Sequence, residues 1–225
     1  MDWLEKFAGI LYISAFIIYI WNIYKTREQV IGTPGKAEPE KQCWIVWTCL
    51  DTIMLGGMYA SANSVNWQGV SAVIGILAVT LFTLIYGVSG WTWGEKICLA
   101  LSIFGLILWQ TLSNPVLAIL ACFIGSVIGS LRTWVSAWKD SSHENILAWT
   151  IFSIGSLLAL IVLWAQGKWT ISEVALSLDC FMIDGIVTAI LYIRLFWPSK
   201  SKRGITFTWR TFLSRIYQSP RHVCP

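Results

Sequence analysis

Charge is what this sequence has least of. Asp, Glu, Lys and Arg make up 12% of its 225 residues, about half of the ~25% usual in soluble domains. With 56% hydrophobic residues, that deficit places the chain among integral membrane proteins. Histidine is nearly absent. His143 and His222 both fall in polar stretches, so no paired intramembrane imidazoles are there to ligate a haem or a metal, and no cofactor is expected. The six cysteines form no CxxC pair, and five sit in or beside apolar segments, where a thiol packs as a small hydrophobe. The last apolar segment, 174–196, has no Lys, which excludes a retinal Schiff base. No nucleophile–base or metal-ligand constellation stands out, so an enzyme is not expected. The N-terminus, "MDWLEKFAGI", lacks a basic region before its apolar run, and that run reads as a retained helix and not a signal peptide.

What is there in quantity is apolar length. Seven segments approach the ~20 residues that cross a bilayer: about 7–24, 43–62, 69–88, 97–111, 116–136, 146–165 and 174–196. Pro115 suits the first turn of the fifth helix, where its missing N–H costs nothing. With the N-terminus outside, fourteen Lys and Arg, from Lys25 to Arg221, fall on the inner side, and Lys6 and Lys168 fall outside. That bias predicts N-out and C-in in the cell (inner or plasma) membrane, and it accounts for the net charge of +4 without nucleic-acid binding. In the tail "GITFTWRTFLSRIYQ", Ile205, Trp209, Phe212, Leu213 and Ile216 recur at helical spacing, as in an amphipathic helix lying on the inner leaflet.

The chain repeats itself. Trp47-Thr48 returns as Trp149-Thr150, 102 residues on, and Trp67 and Trp169 share the same offset. One helix earlier, "IYKTRE" resembles "AWKDSS" at an offset of 114; the difference is a longer first inner loop. Helices 1–3 therefore read as a copy of helices 5–7. Because three is odd, a single extra crossing is needed to bring the second copy back to the same orientation. The expected fold is all-α and integral to the membrane: seven transmembrane helices forming two parallel three-helix bundles joined by a linker helix, a 3+1+3 order. The units are residues 1–88, 89–114 and 115–196, followed by a cytoplasmic basic tail, 197–225. Parallel repeats of this kind place a binding site near the midplane, at the repeat interface.

This pattern, with "WNIYKTRE…CWIVWTCLD" and "RTWVSAWKDSSHENILAWTIFSIGSLLAL", resembles the SWEET/PQ-loop (MtN3/saliva-like) superfamily over about residues 7–196, and within it the small bacterial-type members. The Pro-Gln pairs that name the family are missing, as are its hinge prolines. The resemblance implies a transporter or facilitator of a small polar solute, sugar-like or amino-acid-like. It also implies an alternative: PQ-loop relatives include cargo receptors, so a non-transporting membrane receptor or assembly partner shares the arrangement.

The ionisable groups within the spans are Asp51 in the second, and Asp179 and Asp184 in the seventh. A carboxylate at the bilayer centre costs at least ~2.5–3.5 kcal/mol and usually faces the bundle interior or a wet cavity. Asp51 and Asp184 lie near mid-span and are expected to meet at similar depth. Three roles are open: binding a substrate's hydroxyls or amine, carrying a proton, or tying helices together. The family's pocket Asn on helix 7 points to Asp184 or to Asp179. These two are five residues apart, about 140° around the helix, and are not expected to share one narrow face. The family's stacking Trp points to Trp164, with Trp149 and Trp47 as further candidates or interfacial anchors. Trp91, Trp93, Trp134 and Trp138 read as belt residues. Gly125 and Gly129, a GxxxG pair, and Gly155 with Ser156 read as packing within the second bundle. The partners expected are the lipid bilayer, a small polar solute, protons if transport is coupled, and further copies of the chain if it is a homo-oligomer.

Overall fold

The computed structural model describes residues 2–30, 33, 36–88 and 93–197. The expected tail helix and Trp91 lie outside the described residues. Among those residues the fold is all-helical: α1 Asp2–Thr26, α2 Lys41–Ala62, α3 Trp67–Tyr86, α4 Trp93–Leu112, α5 Pro115–Lys139, α6 Ile146–Ala165 and α7 Ile171–Phe196, with a 3-10 turn, Ser141–His143, between α5 and α6. Six of these, all but α4, are long and apolar enough to cross a membrane, whereas the apolar stretch of α4, Lys96–Leu112, is shorter. The chain is a multi-pass membrane protein by these helices.

Most helices overrun their apolar segments by two to five residues because polar caps extend them. Asn66, Asn114 and Asn145 accept from the backbone N–H groups of Gly69, Val116 and Ala148 at 2.6, 3.1 and 3.0 Å, which starts α3, α5 and α6. Pro115 is the first residue of α5, as its chemistry requires. At α7, Thr170 and Glu173 form a capping box. Asn63 closes α2 in the left-handed region, at φ 51°.

Packing follows a closed order. α1 lies on α3 and α3 on α2; α5 lies on α7 and α7 on α6; α1 meets α6, and α2 meets α5. α4 sits outside this ring, against α5 and α2. Ile10, Ile17, Leu81, Leu157 and Ile161 are exposed on the outer faces of the ring, as lipid contact requires. The basic residues gather at one end: Lys41 Nζ donates to Leu84 O, Arg194 to Lys139 O, and Arg132 pairs with Glu40. Glu5 marks the other end, where it accepts from Trp67 N and Gln166 Nε2.

The small residues do a different job from the one expected. A side chain at Gly125 or Gly129 would meet Leu50, Cys98 and Trp47, so this pair lets α5 approach α2 and α4. A side chain at Gly155 would meet Tyr12 at 3.1 Å, so Gly155 serves the α1–α6 contact. Neither packs within the second bundle alone. At Gly75 an added Cβ would fall 1.9 Å from Phe16, so the α1–α3 approach admits only glycine there.

Candidate functional site

Helix phase brings the site together. On α2, Trp44, Trp47 and Asp51 recur at i, i+3 and i+7; on α6, Trp149, Phe152 and Ser156 do the same; on α1, Tyr12, Phe16 and Tyr19 recur at i, i+4 and i+7. Such spacings put each trio on one helix face. All nine of these residues are buried. The three faces turn inward onto one cavity, to which every helix but α4 contributes. Its volume is ≈ 40 Å³, counted as the space open to the centre of a water molecule.

Asp51, Asp179 and Asp184 all line this cavity, as do Trp47 and Trp149. Trp164 does not. It is 70% exposed, on the outer stripe of α6 with Leu157 and Ile161, seven and three residues away, and so it faces lipid. Trp47 and Trp149 are 6% and 3% exposed and are core residues, not interfacial anchors. Trp93 and Trp138 are exposed as belt residues should be, whereas the indole N–H of Trp134 is buried without a partner.

The two aspartates of α7 share the cavity without sharing a face. Asp184 lies on the α1–α6 side, where Oδ2 accepts from the Tyr12 hydroxyl at 2.9 Å and from Ser156 Oγ at 3.2 Å. Asp179 lies on the side of α5, which also supplies Ser126 to the cavity wall. The 140° between them is taken up by the breadth of a cavity that α7 borders from the middle. Asp51 is 6% exposed and makes no hydrogen bond or ion pair with any described residue. Asp179 Oδ1, Ser126 Oγ and Trp47 Nε1 are likewise buried without partners. Buried polar atoms are normally paired, so these three unpaired atoms beside the unbonded Asp51 mark a place where a bound molecule or ordered water completes the bonding.

The walls are aromatic. Phe16 and Phe152 meet edge to face at 4.5 Å between ring centroids, and Tyr12 packs on both, at 5.6 and 5.1 Å. Trp149 continues the chain from Phe152 to Tyr19, Tyr19 to Trp44, and Trp44 to Trp47. The sequence reading missed Tyr12, Trp44, Phe16, Phe152 and Ser126. The signal was present in their periodicity, but that pattern does not tell an inward face from a lipid-facing one.

Both ends are shut. Towards Glu5 and Trp67, Asn66 Nδ2 donates to Ser177 Oγ, which donates to Gln68 Oε1, at 3.1 and 2.7 Å. Towards the basic end, Trp44, Trp47 and Trp149 form a partition, because the same three side chains also line a second cavity. That vestibule carries Glu38, Glu40, Arg132 and Glu144. Trp149 Nε1 donates to Glu144 Oε2 at 2.7 Å. Burial pushes the Glu144 carboxyl up to about 7; Glu40 adds to the rise, while the Trp149 bond and His143 oppose it. On the exposed side of the same loop, hydrogen bonds from Ser142 hold Asp140 below its usual range.

Among the described residues no cluster of His, Cys, Asp and Glu is spaced to hold a metal ion. The chain matches no family model, no curated protein and no solved structure.

Proposed function

We propose that the chain is a membrane transporter or facilitator of a small polar solute, carried through the cavity that Asp51, Asp179 and Asp184 line. The observation that carries this reading is Asp51, a carboxylate buried in the middle of a membrane helix, with no partner among the described residues, on the wall of a cavity between the helices. An ionisable residue at that depth is costly and is kept where it binds or relays something.

The packing order supports a 3+1+3 repeat. The triplet α1–α3–α2 has its counterpart in α5–α7–α6, and the cross-contacts α1–α6 and α2–α5 exchange under the same two-fold operation, with α4 as linker. The 102-residue offset brings its own pair, Trp47 and Trp149, to the same cavity wall. In this reading the site lies at the repeat interface, where parallel-repeat transporters bind their solutes. The layers at each end act as alternate gates. The gathered Lys and Arg support an inner basic end and an outer N-terminus. The resemblance to the SWEET/PQ-loop superfamily belongs to this proposal.

Uptake of labelled polar solutes into proteoliposomes tests it. Folded protein is expected to accelerate the entry of at least one solute, and Asp51→Asn to abolish that entry. Folded protein that moves nothing across a broad panel of sugars, amino acids and amines refutes it.

A further inference from the structure

We infer that the central cavity recognises a small organic cation, with Asp51 and Asp179 as counter-charges and the Trp47–Trp149 wall as its aromatic face. The inference deepens the transport reading by naming the solute's chemistry, and it rests on that reading only for the claim that the cation is carried.

The charge balance points this way first. Three carboxyls line one small cavity, and among the described residues no Lys, Arg or His lines it with them. A buried carboxylate must be neutralised by a proton or by a cation. Asp184 already accepts two hydrogen bonds, from Tyr12 and Ser156. Asp51 has none from any described residue, and neither has Asp179 Oδ1. The acceptors left open therefore belong to α2 and α7, on the side of the cavity towards Ser126.

The walls narrow the class. Rings of Tyr12, Phe16, Trp44, Trp47, Trp149 and Phe152 surround the acids. Aromatic faces attract cations through the ring quadrupole, most strongly when water is excluded, and they receive alkylated ammonium groups in particular. A bare metal ion needs tightly grouped ligands, and no such grouping exists among the described residues. A space of ≈ 40 Å³ for water centres, widened by the ~1.4 Å radius of water, encloses roughly 180 Å³. That volume accepts a small alkylammonium or guanidinium compound. Trp47 Nε1 and Ser126 Oγ remain as polar groups for a hydroxyl or carbonyl on the same molecule.

Calorimetric titration of the full-length protein in micelles separates charge from shape. Choline is compared with its uncharged carbon isostere 3,3-dimethylbutan-1-ol, and guanidinium with urea. At least one cation is expected to bind at least about tenfold more tightly than its neutral partner. Asp51→Asn is expected to erase that preference while melting no lower than the parent, since Asp51 supports no bond in the fold. Trp47→Leu should weaken the cation and spare the neutral isostere. Trp164→Phe, on the lipid face, should change nothing. Equal binding of both members of each pair, no binding of any of the four, or a preference that survives Asp51→Asn overturns the inference. Cation preference without uptake removes the transport reading and leaves the site; uptake of neutral solutes without cation preference does the reverse.

Discussion

The hydroxyl of Tyr12 donates to Asp184 Oδ2 at 2.9 Å, joining α1 to α7 across 172 positions of sequence. Both side chains are buried, and Ser156 completes the carboxyl's shell at 3.2 Å. Asp184 is thus held, whereas Asp51 across the cavity is not. The two aspartates that the sequence singled out for similar depth have different structural standing.

Tyr12→Phe should accordingly cost stability. It removes one donor from a buried carboxyl and leaves the weaker Ser156 bond, for a loss of about 1–2 kcal/mol. Thermal melting in detergent is expected to fall for Tyr12→Phe and not for Asp51→Asn. Equal losses in the two variants would contradict this division of roles.

Gly75 on α3 and Gly185 on α7 offer a steric comparison. A Cβ on Gly75 would lie 1.9 Å from Phe16 Cδ2, whereas a Cβ on Gly185 meets nothing within 4 Å. Gly75→Ala must push the Phe16 ring off the cavity wall or spread α1 from α3, at about 1–3 kcal/mol. Gly185→Ala should leave stability unchanged or raise it by about 0.5–1 kcal/mol, because glycine is a poor helix residue. Melting temperatures of the two variants check the pair.

Glu144 sets a pH dependence at the basic end. Its folded value is about 7, against an ordinary 4.5. Between those limits the folded state keeps a proton that the unfolded chain has released. Stability therefore declines as pH rises through the window and levels off above about 7. Glu144→Gln should flatten that decline and be the more stable form at pH 8. The ionised carboxylate also holds Trp149 Nε1 more tightly, since a charged acceptor strengthens the bond. Trp149, His143, Glu40, Arg132 and Tyr19 face this group around the vestibule. Opening of the Trp partition is expected to be faster at pH 6 than at pH 8 in the parent and pH-independent in Glu144→Gln, as read by stopped-flow tryptophan fluorescence. A profile unchanged by the substitution would remove Glu144 from the gate.

How far the sequence reached depended on what each feature requires. Apolar length gave the helices, because a span of about 20 residues is set by the bilayer alone; Ile146–Ala165 was read to the residue. Ends such as Asp2 and Lys139 were missed, since polar turns continue a helix beyond its apolar part. The three aspartates were legible because charge is rare in such segments, and the meeting of Asp51 with Asp184 was legible from their mid-span positions. That Asp179 joins them was not, for it depends on how α7 sits between α5 and α6. Trp164 was misplaced although Leu157, Ile161 and Trp164 share one stripe: in a membrane helix the lipid face is as apolar as the core, and hydrophobicity alone does not choose between them.

The central claim is a cavity that opens in turn to each side of the membrane, and Cys180 on its wall can report it. With the other five cysteines replaced and the protein oriented in proteoliposomes, a membrane-impermeant, positively charged thiol reagent is applied from either face. The account predicts that Cys180 is modified from both faces, and more slowly from both when a transported solute is present. Modification from one face only, or from neither while the protein remains folded, would contradict it.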